Sequence, residues 1–246
     1  MVVGEGLIKS KERVQKHGEV FTPPWMVEKM LAEPGIQVKL QDLHATFLEP
    51  SAGEGAFLTE ILRQKLLWVN QMTPPVVHEL EQLTRWKRNT LWALMSIYGI
   101  EYLADNLAKA RENMLAVFCE NYQQQRKRKL GRESELYRSA RLVIELNVVG
   151  GNTLSHEGLH GRPIIFNEWR CAAEDGSQVA RVPFFYSSLF TGIATSPAEE
   201  LSLFSIVQTF NMFEQPAESP LPVYKVVDVL RVYKQEMKQE ADKDGR

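Results

Sequence analysis

The chain has 246 residues, of which 44% are hydrophobic and 24% charged, close to the average for soluble globular proteins. This composition excludes a mostly disordered chain, a collagen-like fibre and a disulfide scaffold. The chain has 29 basic and 31 acidic residues, so its formal net charge is −2. It therefore lacks the overall positive charge that is typical of nucleic-acid-binding proteins. The chain shows no secretory signal and no apolar run long enough for a membrane span, so we expect a cytoplasmic protein. The spacing of its two cysteines and five histidines predicts no bound metal.

The predicted elements alternate between helices and short buried strands. In chain order they are a helix over 25–32, a strand over 45–50, helices over 57–67 and 76–94, a strand over 96–101, a helix over 103–118, strands over 141–149 and 163–166, and a helix over 225–239. This alternation predicts an α/β fold with a mostly parallel sheet and helices on both faces. We expect residues 1–190 to form this domain and residues 191–246 to be a C-terminal extension.

The turn between the first strand and its helix is the most informative local feature. Its glycines, Gly53 and Gly55, let the backbone approach a ligand closely, and the helix that follows offers free N–H groups. An ordinary glycine-containing turn is the alternative. Glu101 ends the second predicted strand, where Rossmann units place an acid that accepts hydrogen bonds from ribose hydroxyls. It follows Gly53 by more than the roughly 20 residues of the simple fingerprint, and an inserted helix over 76–94 explains the difference.

Four segments resemble, in family order, the motifs of the S-adenosylmethionine-dependent adenine-N6 DNA methyltransferases. Residues 47–57, FLEPSAGEGAF, closely resemble the cofactor-binding motif of this family. Residues 19–23, EVFTP, resemble the motif that precedes it in the permuted order of the gamma subclass. Residues 96–102, SIYGIEY, are similar to the ribose-binding strand, and residues 150–154, GGNTL, resemble the next motif. The resemblance implies a Rossmann-like methyltransferase fold.

The same resemblance implies cofactor-binding roles for ten residues. Thr22 and Pro23 would close over the methionine end of S-adenosylmethionine, and Glu49 would face its sulfonium or amino group. Glu101 would hold the ribose hydroxyls, and Tyr102 would pack on the adenine. The other five are the cradle residues Ser51, Ala52, Gly53 and Gly55, together with Asn152, which stands where the family commonly has Asp.

The catalytic loop of the family, Asn or Asp followed by two prolines and an aromatic residue, is missing from this sequence. In the family that loop holds the exocyclic amine of an adenine that has left the duplex stack. The best positional match is Asn167-Glu168-Trp169, which follows the predicted fourth strand and has an amide and an aromatic ring but no prolines. Asn167 and Trp169 are therefore the candidate catalytic residues. Ordinary strand-end and core residues are the alternative.

A local basic run is the candidate DNA contact. Arg126, Lys127, Arg128 and Lys129 would bind phosphates in a salt-dependent way, and a solvated surface is the alternative. The sequence thus predicts a DNA adenine methyltransferase, or a methyltransferase subunit, of a restriction-modification or mobile-element system. The protein is either active alone through a divergent loop or dependent on a partner chain that supplies its catalytic loop or its target-recognition domain. A non-catalytic DNA-binding or interaction subunit of the same fold is the alternative from another class, and RNA or protein as substrate is a third.

Overall fold

The computed structural model describes residues 8–76, 79–190 and 221–238. Seven α-helices occur in these ranges: α1 Lys11–His17, α2 Pro24–Leu31, α3 Pro34–Leu40, α4 Ala56–Met72, α5 Leu80–Met95, α6 Ala104–Arg126 and α7 Glu135–Asn147. The strands in these ranges are β1 Phe47–Glu49, β2 Ile97–Glu101, β3 Val148–Asn152, β4 Glu157–Gly158, β5 Ile165–Cys171, β6 Gln178–Phe185 and β7 Val227–Asp228. Two 3-10 helices complete the set, Tyr186–Phe190 and Val229–Lys234.

The first sheet is mixed and mostly parallel, with the strand order β1-β2-β3-β4. Strands β1, β2 and β3 run parallel, so that Phe47 lies beside Ile97 and Gly99 beside Val148. Strand β4 is antiparallel to β3. The α/β class and the mostly parallel sheet are confirmed, as are the predicted strands that became β1 and β2 and the predicted helices that became α2, α4, α5 and α6.

Different layers cover the two faces of the first sheet. Helices α4 and α6 pack side by side on one face, where Gly99 allows Leu58 to come so close that a Cβ at position 99 would lie 2.8 Å from Leu58 Cδ1. On the other face, Tyr98 of β2 donates a hydrogen bond from its hydroxyl to the carbonyl of Asn167 in β5 at 2.8 Å, and its ring meets Phe166 edge-on. The second face therefore packs against strand β5, which corrects the expectation of a helical layer at this point.

The prediction of a strand over 141–149 is wrong for most of its length. Helix α7 occupies Glu135–Asn147, and only Val148 and the residues after it form β3. Ser134 begins the helix, because its side chain accepts a hydrogen bond from the N–H of Tyr137. One face of α7, including Ala140 and Val143, is fully buried at helical spacing.

The predicted strand over 163–166 is the start of a hairpin rather than a fourth parallel strand. Strand β5 pairs antiparallel with β6, with Asn167 opposite Pro183 and Cys171 opposite Val179. Strand β7 joins the outer edge of β6, which gives a separate three-stranded sheet. The parallel part of the first sheet therefore ends at β3, and the predicted fourth parallel strand is absent from the described residues.

The helix predicted over 225–239 is also wrong. The chain is extended at β7, Asp228 accepts a hydrogen bond from the N–H of Leu230, and a 3-10 helix follows. Val229 and Val232 of that helix are fully buried, and Ser139 of α7 donates a hydrogen bond to the carbonyl of Leu230 at 2.7 Å. The 3-10 helix Val229–Lys234 thus packs on α7, while 191–220 and 239–246, both part of the predicted extension, lie outside the described residues.

Candidate functional site

A cleft of about 700 Å³ lies at the carboxyl end of β1. Its walls come from the N-terminal segment 8–22, from the β1–α4 turn, and from the facing sides of α4 and α6. The volume falls within the range of roughly 300–1,000 Å³ that is usual for small-molecule sites. Five of the ten residues predicted to bind the cofactor line this cleft: Thr22, Glu49, Ser51, Ala52 and Gly53.

The glycine turn of the cleft depends on two left-handed backbone conformations. Gly53 has φ +55° and Gly55 has φ +86°, values that residues with a side chain rarely adopt. The N–H of Ala52 donates to the carbonyl of Ile100 at 2.9 Å, which joins the turn to β2. Gly55 also touches α6, since a Cβ there would lie 3.2 Å from Ala110 Cα. Gly55 is therefore the N-cap of α4 and a packing position rather than part of the cleft wall.

Glu101 holds the glycine turn in place from the end of β2. Its side chain is buried and accepts hydrogen bonds from the N–H of Gly53 at 2.7 Å and from the N–H of Leu103 at 2.8 Å. A carboxylate has about four acceptor positions, so Glu101 keeps capacity for a ligand hydroxyl. Glu101, the predicted ribose-binding residue, thus contacts Gly53 of the cleft wall without lining the cleft itself.

Glu49 is a partly buried acid of the cleft wall. It ends β1, and its Oε1 accepts a hydrogen bond from the N–H of Ser51 at 3.1 Å. Burial raises the pKa of the Glu49 carboxyl, and the Ser51 N–H opposes this only in part. A cationic group bound in the cleft would stabilise the ionised form of Glu49 and so lower the pKa of its carboxyl again.

The N-terminal segment 8–22, called here the strap, is joined to the cleft rim by ion pairs. Lys9 Nζ lies 2.7 Å from Glu54 Oε1 and 3.1 Å from Asp105 Oδ2. Arg13 pairs with Glu19 through Nε at 2.5 Å and with Asp105 through Nη1 at 2.9 Å. The hydrogen bond from Arg13 lowers the pKa values of both Glu19 and Asp105. No sequence pattern predicts this network, because Lys9 and Arg13 lie far from Glu54 and Asp105 in the chain.

Three further residues predicted to bind the cofactor, Pro23, Tyr102 and Asn152, do not line the cleft. Pro23 is the N-cap of α2, directly after Thr22 of the cleft wall. Tyr102 is 56% exposed and follows β2, whereas Asn152 ends β3, two strands away from β1. The Oδ1 of Asn152 accepts a hydrogen bond from the N–H of Leu154 at 2.9 Å. Tyr102 and Asn152 thus share the carboxyl edge of the sheet with the glycine turn, although they stand apart from the cleft.

Asn167 and Trp169, the candidate catalytic residues, lie inside the second sheet. Asn167 is 2% exposed, and its Oδ1 accepts a hydrogen bond from Arg181 Nε at 2.6 Å. The Trp169 indole N–H donates to the Oδ1 of Asn147 at 2.9 Å, also in the interior. Asn167 contacts Tyr98 on the face of the first sheet opposite α4 and α6, and Trp169 contacts the last residue of α7. The structure does not bring either of them to the cleft.

The basic run lies at the far end of α6 from the glycine turn. Asn113 of α6 marks the level of that turn, because its Nδ2 donates to the carbonyl of Glu54 at 2.9 Å. From there the helix runs about 20 Å further to Arg126. Lys127 has φ +53° and ends the helix, and the neighbouring Arg128 contacts the hydroxyl of Tyr122. The structure therefore separates Arg126–Lys129 from the glycine turn.

Comparison with protein-family models, with characterised proteins and with solved structures finds no match to this chain. Within the described ranges, no helix combines the length and the apolar character needed to cross a membrane. In that same part of the chain, no group of three or more His, Cys, Asp or Glu side chains stands close enough to hold a metal ion. The cleft and its surroundings are thus the basis for a functional assignment.

Proposed function

We propose that the chain binds S-adenosylmethionine in the cleft and is the cofactor-binding part of a DNA adenine-N6 methyltransferase. The observation that carries this proposal is the convergence of Thr22, Glu49 and the turn 51–53 on one cleft at the carboxyl end of β1. Open α/β sheets bind their ligands outside the carboxyl ends of parallel strands. The parallel order β1-β2-β3, joined by helical crossovers, is compatible with one half of a Rossmann-like sheet.

The chemistry of the cleft fits a cationic nucleoside ligand. Glu49, Glu54 and Glu120 contribute three carboxylates to its wall, against the two cations Lys9 and Arg63, both of which have acidic partners. S-adenosylmethionine carries a positive sulfonium and supplies an activated methyl group when it is bound. The glycine turn allows close approach to such a ligand.

The task of this chain is positioning, since methyl transfer needs the amine and the sulfonium in line. Glu49 would neutralise the positive end of the cofactor, and Glu101 would fix both the glycine turn and the ribose. The segments that line the cleft contain no Asn or Asp followed by two prolines and an aromatic residue, the arrangement that would hold a flipped adenine. We therefore favour a methyltransferase subunit that works with a partner chain, in a restriction-modification or mobile-element system, over an enzyme active alone.

A second candidate is a non-catalytic DNA-binding or interaction subunit of the same fold. The position of Asn167 and Trp169 within the second sheet favours it, because neither side chain reaches the cleft. On this hypothesis the basic run Arg126–Lys129 binds DNA phosphates, and the cleft has lost its cofactor. DNA retention would then be the same in the wild type and in a variant with a blocked cleft.

Isothermal titration calorimetry with S-adenosylmethionine tests the shared part of the proposal. We expect saturable binding by the wild type and none by Gly53→Arg, since the new side chain would enter the cleft at a left-handed position. Gly35→Arg is the matched control, because Gly35 lies in exposed α3 with no atom within 4 Å of its Cβ position. An absence of binding by the wild type would refute both methyltransferase versions.

A methyl-transfer assay on mixed-sequence DNA then separates the two versions. We expect no transfer by the chain alone, and transfer once a partner chain is added. Transfer by the chain alone, lost in an Asn167→Ala variant that still binds the cofactor, would instead support the divergent loop. A variant that keeps its transfer activity would exclude Asn167 from catalysis.

A further inference from the structure

The strap, residues 8–22, is held to the rest of the protein by polar side chains rather than by the hydrophobic core. Its apolar residues Ile8, Val14 and Phe21 are only partly buried, and Val20 is 61% exposed. None of the four packs against the buried core that the described residues form. Among those residues, no backbone hydrogen bond joins the strap to the glycine turn or to α6. The strap therefore depends on a few side-chain contacts.

Asn106 of α6 is the centre of these contacts. Its side chain is 2% exposed, and the hydrogen bonds that it makes within the described part of the chain all go to the strap. Its Nδ2 donates to Glu19 Oε1 at 2.6 Å, and its Oδ1 accepts from Lys9 Nζ at 2.5 Å and from Arg13 Nη2 at 3.4 Å. A buried amide needs such partners, and Asn106 obtains them from the strap.

Two acidic side chains add ion pairs around this centre. Asp105 pairs with both Lys9 and Arg13, and Glu54 of the glycine turn pairs with Lys9. The side chain of Asp105 is 53% exposed and that of Glu54 is 35% exposed, so water and salt reach both. Ion pairs at such positions each contribute little, and they weaken as the ionic strength rises. The attachment of the strap is thus sensitive to salt.

Opening of the strap would bring polar groups rather than the core into contact with water. The side chains that it uncovers on the body of the protein include Glu54, Asp105 and Asn106, whose strap partners water can replace. Helix α2, which follows the strap, stays in place because Val27 and Leu31 are buried. Segments with few buried apolar contacts open at a lower free energy than that of global unfolding. The strap meets this condition.

The closed strap forms one side of the cleft. Five of its residues line the cleft, at positions 8, 9 and 20–22. The ring of Phe21 lies against Gly53, where a Cβ would be 3.5 Å from Phe21 Cε1, and Lys9 Nζ is 5.7 Å from the centre of that ring. A ligand that packs on Gly53 from this side takes the place of the ring. The strap therefore has to move before such a ligand enters.

We propose that the strap is a lid of the cleft that opens where it meets α2, and that Asp105 and Asn106 are the latch that keeps it closed. Opening detaches Lys9, Arg13 and Glu19 from α6 together, while helices α2–α7 and both sheets stay folded. Ionic strength then sets the fraction of molecules whose cleft is open. The opening follows from the contacts of the chain itself, whereas S-adenosylmethionine as the ligand that the lid admits rests on the proposed function.

Hydrogen exchange of the full chain, followed by mass spectrometry, tests the lid. Helix α1 has 7 residues and is not stable once detached, so exchange of its amides reports opening. We expect these amides to exchange faster than those of α4 and α6 but more slowly than those of an unstructured peptide. Their exchange should be at least about threefold faster in about 0.5 M than in about 0.05 M sodium chloride. Exchange at the rate of α4 and α6, exchange at the rate of an unstructured peptide, or exchange independent of salt would overturn the proposal.

Three variants of α6 test the latch. Asp105→Asn removes both ion pairs of this residue with the strap, which should speed α1 exchange at least about threefold and reduce its salt dependence. Glu112→Gln is the matched control, because it removes the same charge from the same helix, where Glu112 pairs with Lys109 rather than with the strap. Asn106→Ala should speed α1 exchange at least about tenfold and leave exchange in α4 unchanged. Equal α1 exchange in Asp105→Asn and Glu112→Gln would overturn the latch.

Release of S-adenosylmethionine is scored separately. Bound radiolabelled cofactor, chased with unlabelled cofactor, should leave Asp105→Asn at least about threefold faster than it leaves the wild type or Glu112→Gln. Equal release from all three would overturn the lid. A wild type that binds no cofactor would refute the proposed function alone, and the exchange experiments would then decide the lid.

Discussion

Replacement of Gly55 by alanine tests how tightly the glycine turn is built. Gly55 has φ +86°, and a Cβ there would lie 3.2 Å from both Cα and Cβ of Ala110. The left-handed conformation costs a residue with a side chain about 1–2 kcal/mol. Crowding against the backbone of α6 adds about 1–2 kcal/mol, the lower part of the range for overpacking. We therefore expect Gly55→Ala to lower the free energy of unfolding by about 2–4 kcal/mol.

Two control variants separate these contributions in urea unfolding followed by circular dichroism. Gly161 has φ +69° with open space around its Cβ position, so Gly161→Ala reports the backbone cost alone, about 1–2 kcal/mol. Gly131 has open space and no left-handed φ, so Gly131→Ala should stay within about 0.5 kcal/mol of the wild type. A Gly55→Ala variant no less stable than Gly161→Ala would refute the close approach of the turn to α6.

Three further predictions concern Lys65, Asn147 and Glu49. Burial lowers the pKa of Lys65 to about 7 from 10.5, so the unfolded chain binds more protons between these values. The free energy of unfolding should therefore rise with pH across that interval by up to about 5 kcal/mol, and urea unfolding should show a flatter profile for Lys65→Met than for the wild type. Asn147→Ala leaves the Trp169 N–H and the carbonyls of Met95 and Ile97 without their hydrogen-bond partner. This variant should lose about 3 kcal/mol or more of unfolding free energy in the same assay, and Trp169→Phe about 1 kcal/mol. Equal losses in the two variants would contradict this account. Affinity for S-adenosylmethionine should fall as the pH drops through the raised pKa of Glu49, and calorimetry on Glu49→Gln should find that dependence gone.

The elements around the cleft could be predicted because their signals are local. Pro50 ends a short apolar strand, two glycines follow it, and the next apolar residues recur at helical spacing. Glu101 at the end of β2 was equally visible, since an acid directly follows a buried apolar run. The hydrogen bond that the Glu101 carboxylate accepts from the N–H of Gly53 was not predictable, because Gly53 follows β1 whereas Glu101 ends β2.

The errors arose where a local pattern fits two structures. Leu142, Val143 and Ile144 form a continuous apolar run, which a buried strand and a buried helix share. The cap at Ser134 and the burial of one helix face favour the helix, and a short apolar run alone reveals neither. The strand at Ile165 was visible, but its antiparallel partner β6 was not, and pairing direction decides where Asn167 lies.

The strap also determines how the protein is best handled in the laboratory. Ile8 and Lys9 line the cleft, and the ion pairs of Lys9 with Glu54 and Asp105 hold this part of the chain against the rim. An affinity tag fused ahead of Met1 is therefore separated by only seven residues from a side chain that lines the cleft, and it should be removed before binding assays. Near the other end of the chain, Leu230 contacts Ser139 of α7 and residues 221–238 do not line the cleft, so a C-terminal tag is the better choice for binding assays.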